Sequence, residues 1–169
     1  MAITSATATT AMMAHDRRTV GSMIDDQTIE LRAQSKVSQI PEVRDYAHIS
    51  VTSYNNIVLL TGQVPYDYVK DQISDSVNGV PGVRRVFNEL TVAESNSLLQ
   101  RSKDSWITTK VKTALLAQGH IDPTRIKVIT ENDVVYLLGL VNFQEAEIAS
   151  EIAQTTSGVK EVIRAFEYM

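Results

Sequence analysis

An α+β fold built from two copies of one unit is what this sequence predicts, and three observations predict it. The stretch from His48 to Gly62 lines up with the stretch from Arg125 to Gly139, and Gly82-Val-Arg-Arg-Val86 lines up with Gly158-Val-Lys-Glu-Val162. Such self-similarity marks an internal duplication. Each copy holds two short β-branched runs split by a polar pair, Asn55-Asn56 or Asn132-Asp133. Asn and Asp tolerate positive φ, so each pair predicts a two-residue hairpin turn. Around each hairpin lie segments whose apolar residues recur at helical spacing.

Taken in order, Met1 to Ala14 is rich in Ala and Thr and carries no charge. It lacks the basic start and Leu-rich core of a secretion signal and reads as a flexible tether, or equally as a frayed terminus. We place this tether at residues 1–23, the first unit at 24–92, a linker at 93–103 and the second unit at 104–169. Each unit has the order α-β-β-α-β. The first helices run from about Asp25 to Ser38 and from about Asp104 to Ala117. The second helices run from about Tyr66 to Asn78 and from about Gln144 to Thr156. The last strands run from about Val83 to Val92 and from about Val159 to Tyr168. A right-handed crossover makes the last strand parallel to the second, so each three-stranded sheet is mixed, with two helices packed on it. One residue is gained or lost between landmarks, most cheaply after the second helix. In the linker, Leu98 and Leu99 are candidate docking contacts.

Composition narrows the function. A net charge of −4 argues against a general nucleic-acid binder. No apolar run approaches the ~20 residues of a membrane span. The absence of cysteine removes thiol catalysis, disulfides and cysteine-ligated zinc. His15, His48 and His120 have no metal-binding spacing, and no phosphate loop or nucleophile elbow occurs. Glu145, Glu147 and Glu151 read as a solvated helix face, and Arg84-Arg85 as a solvated strand end. No enzyme, no cofactor and no metal site is expected.

The segment that stands out is the first helix of the second unit. Asp104 is a candidate cap for it. Ile107, Val111, Ala114 and Leu115 form an inward stripe at roughly 100° per residue. A second stripe, Trp106–Thr109–Thr113–Leu116, faces away and is flanked by Lys110 and Lys112. The duplication offers a comparison. Where the second unit has Trp106, Thr109, Thr113 and Leu116, the first has Thr28, Leu31, Ser35 and Ser38. The fold therefore does not require the indole. Indole suits a bilayer interface, and lysines suit anionic headgroups. The opposing reading packs Trp106 inside the protein, since tryptophans are rarely bare.

The α-β-β-α-β unit with its Gly landmarks resembles the BON domain. Two such units, preceded by Asp16-Arg-Arg-Thr-Val-Gly21 and containing Trp106-Ile-Thr-Thr-Lys-Val111, resemble the dual BON-domain outer-membrane lipoproteins of the DolP type. The resemblance runs from about Asp16 to the C-terminus. It implies a periplasmic protein tethered to the inner leaflet of the outer membrane and linked to envelope integrity and the division site. It also implies that the second BON domain binds anionic phospholipid, phosphatidylglycerol especially, through its first helix. The family's lipid-contacting tryptophan and leucine match Trp106 and Leu116. Its helix valine matches Val111, which the helical spacing puts in the core. Family members begin with a lipidated cysteine, and this sequence contains no cysteine.

The lipid-binding set is therefore Trp106, Thr109, Lys110, Val111, Lys112, Thr113 and Leu116, and the expected partner is an anionic phospholipid membrane. Outer-membrane assembly proteins are a further partner class, and no nucleic acid is expected. The alternative is a periplasmic adaptor that grips an outer-membrane assembly or division factor through the Trp106 stripe or the first unit. A purely structural envelope stress protein is a third reading.

Overall fold

The computed structural model describes residues 16–169. The tether residues Met1 to Ala14 and His15 lie outside the described residues.

The chain divides into two compact units. In the first, helix α1 (Val20–Ser38) and a short helix α2 (Pro41–Tyr46) precede strands β1 (His48–Tyr54) and β2 (Ile57–Val64). Helix α3 (Asp67–Asn78) and strand β3 (Arg85–Val92) complete it. The second repeats the plan with α4 (Leu98–Gln118), a 3-10 turn (Pro123–Arg125), β4 (Ile126–Glu131), β5 (Val134–Val141), α5 (Phe143–Thr155) and β6 (Glu161–Tyr168). Each sheet has three strands, ordered β1-β2-β3 and β4-β5-β6. The hairpin pairs are antiparallel and the crossover pairs parallel, as the predicted mixed sheet requires.

The hairpins form where the polar pairs stand. Asn55, Asn56, Asn132 and Asp133 have φ of 51°, 66°, 50° and 67°. Two successive left-handed residues match the right-handed twist of the flanking strands. Gly62 and Gly139 are required for a different reason. A Cβ on Gly62 would sit 1.9 Å from the carbonyl oxygen of His48, and one on Gly139 would sit 2.5 Å from that of Arg125. The β1–β2 and β4–β5 pairs close up there because no side chain intervenes.

Each unit has its own core on the helix-covered sheet face. In the first, Ile29, Ala33 and Val37 of α1 meet Val69, Ile73 and Val77 of α3 over the β2 residues Val58, Leu60 and Val64. In the second, Ile107, Val111 and Leu115 of α4 meet Ala146, Ala149 and Ala153 of α5 over Val135, Leu137 and Val141. Ala114 packs against this core, so the predicted inward stripe of α4 holds. Burying each large aliphatic side chain contributes about 1.5–3 kcal/mol.

Four details differ from expectation. First, α1 begins at Val20, ahead of the boundary at residue 24. Second, α4 begins at Leu98, so Asp104 lies inside the helix and does not cap it. Third, Leu98 and Leu99 belong to the first turn of α4 and are 77% and 81% exposed, not docked. Fourth, the one-residue difference between repeats falls before the second helix. Pro65-Tyr66 joins β2 to α3, whereas Asn142 alone joins β5 to α5. Asn142 manages this because its side chain accepts from the Glu145 amide while the Glu145 carboxylate accepts from the Asn142 amide.

Candidate functional site

The outer face of α4 presents most of the predicted set together. Trp106 is 62% exposed and Leu116 67% exposed, with Thr109, Lys112 and Thr113 also exposed between them. The indole is therefore not sealed inside the protein. The threonines carry their own satisfaction. Thr109 donates its hydroxyl to the Ser105 carbonyl at 3.0 Å, and Thr113 donates to the Thr109 carbonyl at 2.8 Å. Such back-bonds to the preceding turn leave neither hydroxyl proton to be stripped of water when the face meets an apolar medium. The stripe is less polar than its composition suggests.

Two members of the set stand elsewhere. Val111 is fully buried among Ile107 and Leu115 and has no surface to offer a lipid. Its spacing already put it in the core, and the structure removes it from the contact face. Lys110 is half-buried, and its ammonium is engaged. It donates to the Ser157 carbonyl and, at 2.9 Å, to the Ser157 hydroxyl, just past the end of α5. There it ties α4 to the C-terminal end of α5, where a cation suits the helix dipole. Lys112 is the exposed lysine of the pair, and no partner is found for it among the described residues.

The matching face of α1 is built differently. Thr28 is half-buried and bonds back to the Ile24 carbonyl at 2.9 Å, and Ser38 bonds back to the Ser35 carbonyl at 2.9 Å. Leu31 is the single large apolar group of that stripe and is 74% exposed.

Two side-chain networks, one buried and one part-buried, escape the spacing of the sequence. Asp26 of α1 is 3% exposed and accepts from the Ser53 hydroxyl at 2.7 Å and from the Asn55 and Asn56 amides, each at 2.8 Å. One carboxylate thus fixes the whole hairpin turn to the helix. Asp104, at the corresponding place in α4, is 4% exposed. The signal was available, since an aspartate recurs at one position in both copies.

The other arrangement is Glu145. Arg17 grips it bidentately, Nη1 to Oε2 at 2.6 Å and Nη2 to Oε1 at 2.8 Å, with Arg125 Nη1 3.5 Å from Oε1. Arg17 also donates to the Leu140 carbonyl at 3.0 Å. The Arg17 hydrogen bonds hold the Glu145 carboxyl below the usual carboxylate range, aided by the Asn142 amide and against some burial. Glu147 is likewise lowered by its hydrogen bond from Arg164. These two glutamates are paired groups, not merely the solvated face expected. Arg84, similarly, donates to the Asn55 carbonyl at 2.9 Å, and Arg85 lies over the Phe87 ring at 4.4 Å. Among the described residues no group of acidic or His side chains is arranged to hold a metal, and no helix is long and apolar enough to cross a membrane.

A duplicated unit with helices packed on one face of a three-stranded mixed sheet defines a small tandem-domain α+β protein. The BON domain family matches residues 25–94 and 103–169, and the chain belongs to this family. Over 96% of its length it is 44% identical to the outer membrane lipoprotein DolP of Haemophilus influenzae, covering 84% of that protein. It is 36% identical to the 21 kDa hemolysin of Actinobacillus pleuropneumoniae, over 91% of this chain and 79% of the relative. It is 30% identical to the osmotically-inducible protein Y of Escherichia coli, over 85% of this chain and 72% of the relative.

Proposed function

We propose that this chain is a non-enzymatic protein of the bacterial envelope that binds anionic phospholipid, phosphatidylglycerol in particular, through the outer face of α4. The observation that carries this reading is the exposed indole of Trp106, set where the first repeat has Thr28. The likeness to an outer membrane lipoprotein supports a periplasmic place at the inner leaflet of the outer membrane and a part in envelope integrity there, including at the division site.

The magnitudes suit a weak, selective contact. Partial insertion of Trp106 and Leu116 supplies roughly 2–4 kcal/mol. Lys112 adds about 1 kcal/mol against anionic headgroups. Lys110 adds little, because its ammonium already serves Ser157. The sum, about 3–5 kcal/mol, corresponds to millimolar affinity. Such a site discriminates lipid composition when something else holds the protein near the bilayer, because local concentration then supplies what affinity lacks.

The test is co-sedimentation with phosphatidylglycerol vesicles. Trp106→Glu puts a carboxylate, repelled by anionic headgroups, where the indole would insert. It is expected to abolish binding while leaving the unfolding transition unchanged, because the position is exposed. Equal sedimentation of mutant and parent contradicts the reading.

A further inference from the structure

The first unit carries a cleft that the lipid reading does not use. It lies between α1 and the edge strand β1, has a volume of about 410 Å³ and is lined by Gln27, Glu30, Leu31, Gln34 and Val51. Its floor is apolar, with Leu31 74% exposed on the helix side and Val51 half-buried on the strand side.

The strand beside it has one open edge. Strand β1 bonds to β2 on one side and is the outer strand of its sheet on the other. In the two-residue hairpin, Tyr54 and Ile57 close the turn, so alternate residues Ser53, Val51 and Ile49 occupy the pairs that do not exchange hydrogen bonds. Their amides point outward. The Ser53 amide shows this directly, since it donates to Glu30 Oε1 at 2.7 Å instead of to β2. Among the described residues, no acceptor is found for the outward amides of Ile49 and Val51.

The second unit again serves as a comparison. The counterparts of Glu30 and Ser53 are Thr108 and Thr130, whose hydroxyls bond to each other at 2.8 Å. That short bridge draws α4 onto β4, and Val128, the counterpart of Val51, is 2% exposed. In the first unit the corresponding contact is made by the longer Glu30 side chain to the Ser53 amide, and Val51 is left half-buried beside the cleft.

We propose that this cleft binds an extended peptide segment of another protein, which adds as a further strand to β1 and seats an apolar side chain against Leu31. Unpaired edge amides select a strand, because only extended backbone offers acceptors at the spacing of Ile49 and Val51. The alternating side chains of such a strand put every second residue over the Leu31–Val51 floor. Glu30 is the one ionisable residue of the lining, so its carboxylate favours basic over acidic neighbours to that side chain. The proposal does not depend on lipid binding by α4.

The test uses the full chain, labelled for amide spectroscopy, and a blocked peptide alternating valine with threonine and lysine. A twin peptide carries methyl groups on the backbone nitrogens of every second residue, which blocks strand pairing. The expected result is a change in signal and slowed hydrogen exchange at the amides of Ile49 and Val51 with the first peptide and not with its twin. Leu31→Lys, at an exposed position, is expected to weaken peptide binding about tenfold and to leave phosphatidylglycerol vesicle binding unchanged. Absence of binding, equal binding of the methylated twin, or signal changes that bypass β1 would overturn the proposal. So would loss of vesicle binding in Leu31→Lys, because the cleft would then belong to the lipid face.

Discussion

At the scale of single residues, the carboxylates that matter are those turned inward. Asp26 accepts two hairpin amides and a hydroxyl while almost wholly buried. Asp26→Ala leaves those groups without an acceptor, which costs about 2–4 kcal/mol. Urea unfolding should show this as a lower midpoint with an unchanged slope. Glu145 contributes through its charge. Its folded pKa lies below the usual value of 4.5 because Arg17 binds the ionised form. Its stabilisation is therefore complete above the unfolded carboxylate value and disappears as pH falls through the lower, folded one. Arg17→Ala should raise the Glu145 titration midpoint toward the ordinary value and shrink the stability lost on acidification. Carboxyl titration by nuclear magnetic resonance, alongside unfolding at neutral and acid pH, checks both. Neither role could be read from spacing. Asp26 sits on a helix and its partners on a hairpin, and Arg17 meets Glu145 across more than half the chain, so only folding brings them together.

At the scale of the element, α4 separates two kinds of side chain on one cylinder. Val111 faces the core and Leu116 faces solvent. Val111→Ala should destabilise the second unit by about 2 kcal/mol through the cavity it leaves, and it should affect lipid only through that loss. Leu116→Glu should leave the unfolding midpoint in place and weaken vesicle binding about tenfold, since the removed contact is apolar and external. Thermal melts paired with vesicle sedimentation separate these outcomes. This helix was largely legible in sequence, because apolar residues at helical spacing must face one way and Trp106 and Leu116 fall on the other. Its start was not legible. Asp104 is a good capping residue type, yet helical backbone continues through it to Leu98, and its carboxylate is buried. Nor could composition reveal that Lys110 is spent on Ser157, a contact between residues on different elements.

At the scale of the whole molecule, duplication is what makes the account arguable. Two copies share hairpins, glycine approaches and cores, so each feature present in one copy alone has a control in the other. The fold was readable from sequence for that reason: the Asn-Asn and Asn-Asp turns and the paired glycines dictate backbone geometry locally, and they do so twice. The two proposed binding roles rest on the differences. The first copy holds an open strand edge beside Leu31, and the second holds an outward indole. The net charge of −4 gives the chain no general attraction to an anionic bilayer, so any contact must come from a local face. Because Trp106 is the sole tryptophan, its emission reports on that face alone. Titration of the intact chain with phosphatidylglycerol vesicles is predicted to shift this emission to shorter wavelength, and phosphatidylcholine vesicles should barely move it. An unmoved spectrum with both, or an equal shift with both, would contradict the account.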